Sequence, residues 1–298
     1  MYPSGSTVTT IAQLDALIDW LYHNPEAPGN IPALSSEMKQ LYALWAQGQS
    51  LESQGNFRSA IELYKRALQY APGFVNARFS WARSLQALGQ FSQALSQLKV
   101  ITTFYPSQDS DIYIQMALIY RELSDWRGEI LAYRSALEID PHNLYSWLNL
   151  GLAYRQTGEL EAAGEAFSQA VARLDVMVSI GHPHQYDPEE DKICFEAGRT
   201  EFARGALDRS ELLFRRVLTV RGRNLELWGD PQHNPTVFYT MLFLARINLR
   251  RGQWDEALAQ LEPCLTFASQ DPTVNLLMGN ARAQGTDPLP LGWIWDEM

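Results

Sequence analysis

The chain has 298 residues, 46% of them hydrophobic and 19% charged, and a formal net charge of −10. That balance describes a folded protein rather than a disordered one, and the acidity argues against a duplex nucleic-acid binder, which needs a basic face for phosphate. No run of about 18 apolar residues is present to span a bilayer, and two cysteines make no disulfide framework, so a reducing, cytoplasmic setting is expected.

The opening MYPSGSTVTT lacks the basic start and apolar core of a signal peptide. Ile11, Leu14, Leu17, Ile18 and Leu21 then recur at helical spacing, predicting an N-terminal helix. A linker, HNPEAPGNIP, follows, so residues 1–40 are read as helix plus linker. Pro72, Pro106 and Pro141 lie 34 and then 35 residues apart, each where a helix pair must close because proline cannot continue it. They frame repeats at 41–74, 75–108, 110–143 and 144–177. Each repeat has a central turn ending on an apolar residue: Gly55-Asn56-Phe57, Gly89-Gln90-Phe91, Ser124-Asp125-Trp126 and Gly158-Glu159-Leu160. Glycine ends the first helix at low steric cost. The second helices share a small–large–small pattern: Ala60, Tyr64 and Ala67; Ala94, Leu98 and Ile101; Tyr133 and Ala136; Ala163, Phe167 and Ala170. A fifth repeat is expected near 191–224 and a sixth near 238–271, with loop inserts at 178–190 and 225–237 and a capping helix and Trp-rich acidic tail over 272–298.

Trp147-Leu-Asn-Leu150-Gly151-Leu-Ala-Tyr154 fits the W-x2-L-G-x2-Y opening of a tetratricopeptide repeat (TPR). With the 34-residue period, the chain resembles the TPR family over about 230 residues. The resemblance implies an all-α fold, a right-handed superhelix (α-solenoid) of about six helix-turn-helix repeats between an N-terminal helix and a C-terminal capping helix. Two positions depart from the pattern. Glu129 and Ser210 stand where a small residue is usual, so either the helices splay there or Glu129 finds an arginine such as Arg127 or Arg134.

In that family the first helices line a concave face that takes extended or helical peptides. The register then assigns a partner-binding set: Trp45, Phe79, Ile114, Tyr145, Leu148, Phe195 and Tyr239 as an aromatic and aliphatic column, with Arg83, Arg121, Arg155, Arg199, Arg246 and Arg250 beside it. Of 24 cationic residues 20 are arginine, the cation suited to planar recognition of carboxylates. The expected ligand is an acidic segment of another protein with aromatic anchors. A second reading stays open, in which each arginine pairs with Glu or Asp on an adjoining helix. The family's carboxylate clamp for the EEVD tails of heat-shock chaperones is not expected, because no window carries its full Lys/Asn set.

Other chemistry is sparse. His182, His184, Asp187, Glu189, Glu190 and Asp191 are metal-ligand types, but a proline between the histidines gives no fixed geometry, so no metal is expected. Cys194 and Cys264 fall on core positions and read as small buried hydrophobes. No catalytic motif is visible, and the expectation is a non-catalytic scaffold, adaptor or assembly factor without cofactors. The resemblance also implies a role often played in assembling multi-subunit complexes, photosynthetic membrane complexes among them. A different reading is a self-assembling homo-oligomer. The tail DPLPLGWIWDEM is read in two ways: it docks in its own or a second copy's groove, or Trp293 and Trp295 cover the flank of the last helix.

Overall fold

The structure is a computed structural model that describes residues 8–23, 34–104, 109–179, 187–223, 235–267 and 270–290. The chain divides into two units, Met1–Pro141 and His142–Met298, each with its own core. The first holds α1 (Ile11–His23), α2 (Ser36–Ser53), α3 (Phe57–Tyr70), α4 (Val75–Ala87), α5 (Phe91–Phe104), α6 (Ser110–Glu122) and α7 (Trp126–Ile139). The second holds α8 (Leu144–Gln156), α9 (Leu160–Ser179), α10 (Asp187–Ala203), α11 (Leu207–Arg223), α12 (Pro235–Arg250), α13 (Trp254–Phe267) and α14 (Pro272–Arg282). The described helices α2 to α7 make three consecutive pairs in the first unit and α8 to α13 three in the second, with α1 and α14 outside the pairs.

Within each pair a buried small residue of the first helix stands 16 positions before a buried large one of the second. The pairs are Gly48 and Tyr64, Ala82 and Leu98, Ala117 and Tyr133, Gly151 and Phe167, Gly198 and Phe214, Ala245 and Leu261. A Cβ built on Gly151 would sit 2.7 Å from the Phe167 ring, and one on Gly198 would sit 2.9 Å from Phe214. Burying each aromatic or leucine side chain contributes about 1.5–3 kcal/mol, which outweighs the roughly 1 kcal/mol that glycine costs inside a helix.

The turns within pairs are built alike. Gly55, Gly89, Gly158, Gly205 and Gly252 have φ between 70° and 80°, and Ser124 takes the same place with φ 56°. The residue after each donates its N–H five residues back, as Gln90 does to Leu85 O at 2.9 Å and Asp125 to Tyr120 O at 2.9 Å. That bond closes the last turn of the first helix.

In the first unit α1 is part of the core. Leu14, Leu17 and Ile18 are buried with Met38, Leu41 and Leu44 of α2 and with Leu68 and Phe74. The N-cap of α4 is Phe74, whose side chain has no acceptor. Asp15 of α1 supplies one: its carboxylate accepts from the backbone N–H of Val75 at 3.2 Å and of Asn76 at 2.9 Å. In the second unit Phe195, Phe202, Phe214 and Phe243 interlock, with the Phe214 and Phe243 rings stacked 4.9 Å apart.

Several expectations need adjusting. The α2 helix starts at Ser36 rather than near 41, because the Ser35 hydroxyl accepts from Met38 N–H and caps it. Both inserts are shorter than expected: α9 runs to Ser179, α10 opens at Asp187 and α12 opens at Pro235. Proline is favourable in the first turn, where its missing N–H would have had no helical partner. Glu129 pairs with Arg121 of α6, not with Arg127 or Arg134. Ser210 is buried without splaying its pair, since its hydroxyl donates to Gly198 O at 2.8 Å. Pro106, Trp228, Trp293, Trp295 and the His182–His184 cluster lie outside the described residues.

Candidate functional site

In the first unit the expected site residues sit on α2, α4 and α6. Trp45 is half-buried, and its Nε1–H donates to Ser80 Oγ at 3.1 Å while Gln49 donates to the same oxygen at 2.7 Å. The indole is therefore held across α2 and α4. Phe79 and Ile114 are half-buried. Arg83 is 47% exposed and lies 3.3 Å from Glu52. Glu52 also accepts from the Tyr64 hydroxyl at 2.9 Å, and burial, then Glu52, push that phenol well above its ordinary range. Arg121 grips Glu129 Oε1 through Nε at 2.8 Å and Nη2 at 2.5 Å, with the Tyr133 hydroxyl 3.3 Å away. Glu129 is only 1% exposed, and burial raises its pKa in spite of Arg121.

In the second unit Tyr145 is exposed while Leu148 and Phe195 are buried in the core. Arg155 pairs with Glu196 of α10. Arg199 lies 3.5 Å from the same carboxylate and is 4% exposed; burial lowers its guanidinium pKa to about 10. Tyr239 is half-buried. Arg246 and Arg250, one turn apart on α12, converge on Asp287, with Nε–O distances of 3.1 Å and 2.7 Å to Oδ2. Both guanidiniums lie over the Phe202 ring of α10, at 4.7 Å and 5.4 Å.

The arginines of the expected set are thus already paired: Arg83 with Glu52, Arg121 with Glu129, Arg155 and Arg199 with Glu196, Arg246 and Arg250 with Asp287. The pairing with an adjoining helix read as an alternative from the sequence is present at Arg83, Arg121 and Arg155, whereas Arg199 pairs within α10 and Arg246 and Arg250 pair with Asp287 beyond α14. Of the thirteen expected residues, the structure leaves Arg83 and Tyr145 in the exposed class. Asp287 is not among the thirteen, although it opens the tail that the sequence reads as docking in its own or a second copy's groove.

The tetratricopeptide repeat family models match residues 51–118 and 132–165, from the end of α2 into α6 and from the middle of α7 into α9. The chain is a tetratricopeptide repeat protein. This TPR chain is similar to the general transcriptional corepressor ssn6 of Schizosaccharomyces pombe, 29% identical over 154 residues. The match takes in 51% of this chain and 14% of that protein. Among solved structures, it resembles the MamA protein (TM-score 0.52, 19% identity, 63% of this chain and 96% of that one). It also resembles pilF of Pseudomonas aeruginosa (TM-score 0.53, 13% identity, 84% and 100%). A TPR protein from Parabacteroides merdae gives a TM-score of 0.51 at 14% identity, over 82% and 99%. At these identities the likeness shows the fold. That fold is a scaffold for protein interaction.

Among the described residues, no helix is long and apolar enough to cross a membrane, and no group of three His, Cys, Asp or Glu side chains is placed to hold a metal ion. Cys194 and Cys264 are buried, and burial pushes both thiols up to about 12, so they stay protonated at neutral pH.

Proposed function

We propose that this TPR protein is a non-catalytic scaffold or adaptor that holds an acidic, extended segment of a partner protein against its first helices. The observation that supports this reading is the seat on α12, where two guanidiniums on an aromatic platform hold a carboxylate and the backbone that follows it. Charge-assisted bonds of this kind are strong and directional, and they explain how an acidic protein can hold an acidic ligand. Arg83 and Tyr145 are the accessible members of the expected binding set. Each marks, within its own unit, a position at which an acidic or aromatic group of a partner meets this chain.

The test is capture from the native lysate by wild type, Arg83→Glu and Tyr145→Ala, quantified by mass spectrometry. A protein retained by wild type and lost from either variant supports the reading; equal retention by all three removes it. Gel filtration runs alongside, since a monomer near 33.8 kDa counts against self-assembly as the main role.

A further inference from the structure

The last described helix ends with Gln284 in the left-handed region (φ 54°), where Gly285 N–H donates back to Asn280 O at 2.8 Å. The chain then continues without helix, with Gly285 O accepting from Trp254 Nε1 at 3.2 Å. This course brings the Asp287 carboxylate between Arg246 and Arg250, where it is completely buried. Arg246 Nη2 also donates to Leu289 O at 3.1 Å and to Pro290 O at 2.6 Å, and Arg250 Nη2 donates to Leu289 O at 3.0 Å. Leu289 packs against the apolar cluster of α12, α13 and α14.

What the seat reads is therefore one carboxylate, the carbonyls two and three residues after it, and one apolar side chain. Each is a property of a short non-helical peptide. Pro288 and Pro290 carry no N–H that would need a partner, and Leu289, where the chain bends, donates its own N–H to Asp287 Oδ1 at 3.2 Å. The tail does not use every donor offered: Arg246 is 0% exposed, yet its Nη1 has no hydrogen-bond partner among the described residues. A buried donor left bare is unfavourable, so the seat can be filled better than the tail fills it.

We propose that residues 286–290 are an internal ligand, and that the seat of Arg246, Arg250 and Phe202 takes in trans a short non-helical segment of another protein with the same chemistry. That chemistry is an aspartate followed two residues on by leucine, in proline-bearing backbone. The inference rests on the scaffold reading above and adds that the site blocks itself. A tethered segment acts at an effective concentration of about millimolar. A free segment therefore binds with an apparent affinity reduced by the fraction of time the seat stands open.

The probe is a fluorescein-labelled peptide of residues 284–291, QGTDPLPL, titrated by anisotropy against the full chain. Full-length Asp287→Asn, whose tail has lost its charge, is expected to bind the peptide about tenfold or more tightly than wild type. The same peptide with asparagine for its aspartate should bind neither chain. The double variant Asp287→Asn/Arg250→Gln should lose the gain. The melting temperature of Asp287→Asn should stay within about 3 °C of wild type, because Arg246 becomes hydrated once the tail lifts.

Equal binding by wild type and Asp287→Asn, or binding by neither, overturns the proposal. So does a fall of about 10 °C or more in the Asp287→Asn melting temperature, which makes the contact a structural clamp. A wild-type dimer that Asp287→Asn dissociates assigns the seat to a second copy's tail and also overturns it. If these results fail while capture still depends on Arg83 or Tyr145, the scaffold reading stands and only the internal ligand falls.

Discussion

Glu129 shows how one residue can break a repeat pattern and still be accommodated. Its carboxylate is buried where the corresponding second helices place Ala60, Ala94 and Ala163, and Arg121 reaches it from the preceding helix. Burying an ion pair of this kind often gains nothing over an apolar replacement, because desolvation offsets the attraction. Arg121 is one-third exposed, so it can return to water when its partner is removed. Glu129→Ala is therefore expected to be neutral or stabilising by about 1 kcal/mol at pH 7. The sign of the pH effect follows from the raised pKa. The folded state holds the Glu129 proton more tightly than the unfolded state does, so ionisation destabilises it as pH rises through and above the ordinary value of 4.5. Urea melts at pH 4.5 and pH 7 should show a fall in wild type that is smaller in Glu129→Ala. An equal fall in both proteins removes the carboxylate as its cause.

Within an element pair, packing and propensity pull in opposite directions at Gly151. Alanine is the better helix former by about 1 kcal/mol, but its Cβ would lie 2.7 Å from the Phe167 ring in a filled core. Overpacking costs about 1–3 kcal/mol, so Gly151→Ala is expected to destabilise by up to about 2 kcal/mol net, read as a lower urea midpoint. An unchanged or higher midpoint would mean that the ring can move aside. At the start of the array the decisive contact is between elements rather than within one. Asp15 caps α4 from α1, so Asp15→Ala should cost about 1 kcal/mol, the usual loss of a helix cap. Faster amide exchange at Val75 and Asn76 would localise the effect. A midpoint loss without faster exchange there would place Asp15's role elsewhere.

At the scale of the whole chain, the repeat architecture was legible and the engagement of its inner side chains was not. Turn glycines, the proline frame and the alternation of small with large residues are local and periodic. Gly55 and Gly89 recur 34 positions apart because the same left-handed turn is needed each time. Arg246 gives no local sign that an aspartate 41 residues later will bury it, and no periodicity links Arg155 to Glu196 across the insert between α9 and α10. Side-chain pairing across elements depends on the superposed geometry of three helices, which a one-dimensional pattern does not contain. The same periodicity decides how instability should spread. Each repeat gains most of its stability from itself and its immediate neighbours, so a defect at one end should fade along the array. Leu17 of α1 is buried against α2 and the end of α3, and Leu17→Ala is expected to cost about 2–4 kcal/mol. Hydrogen exchange read helix by helix should then lose most protection in α1, α2 and α3, and least in α6 and α7 of the same unit. A uniform loss from α1 to α7 would make the first unit a single cooperative block, and its helix pairs could then not be treated as additive modules.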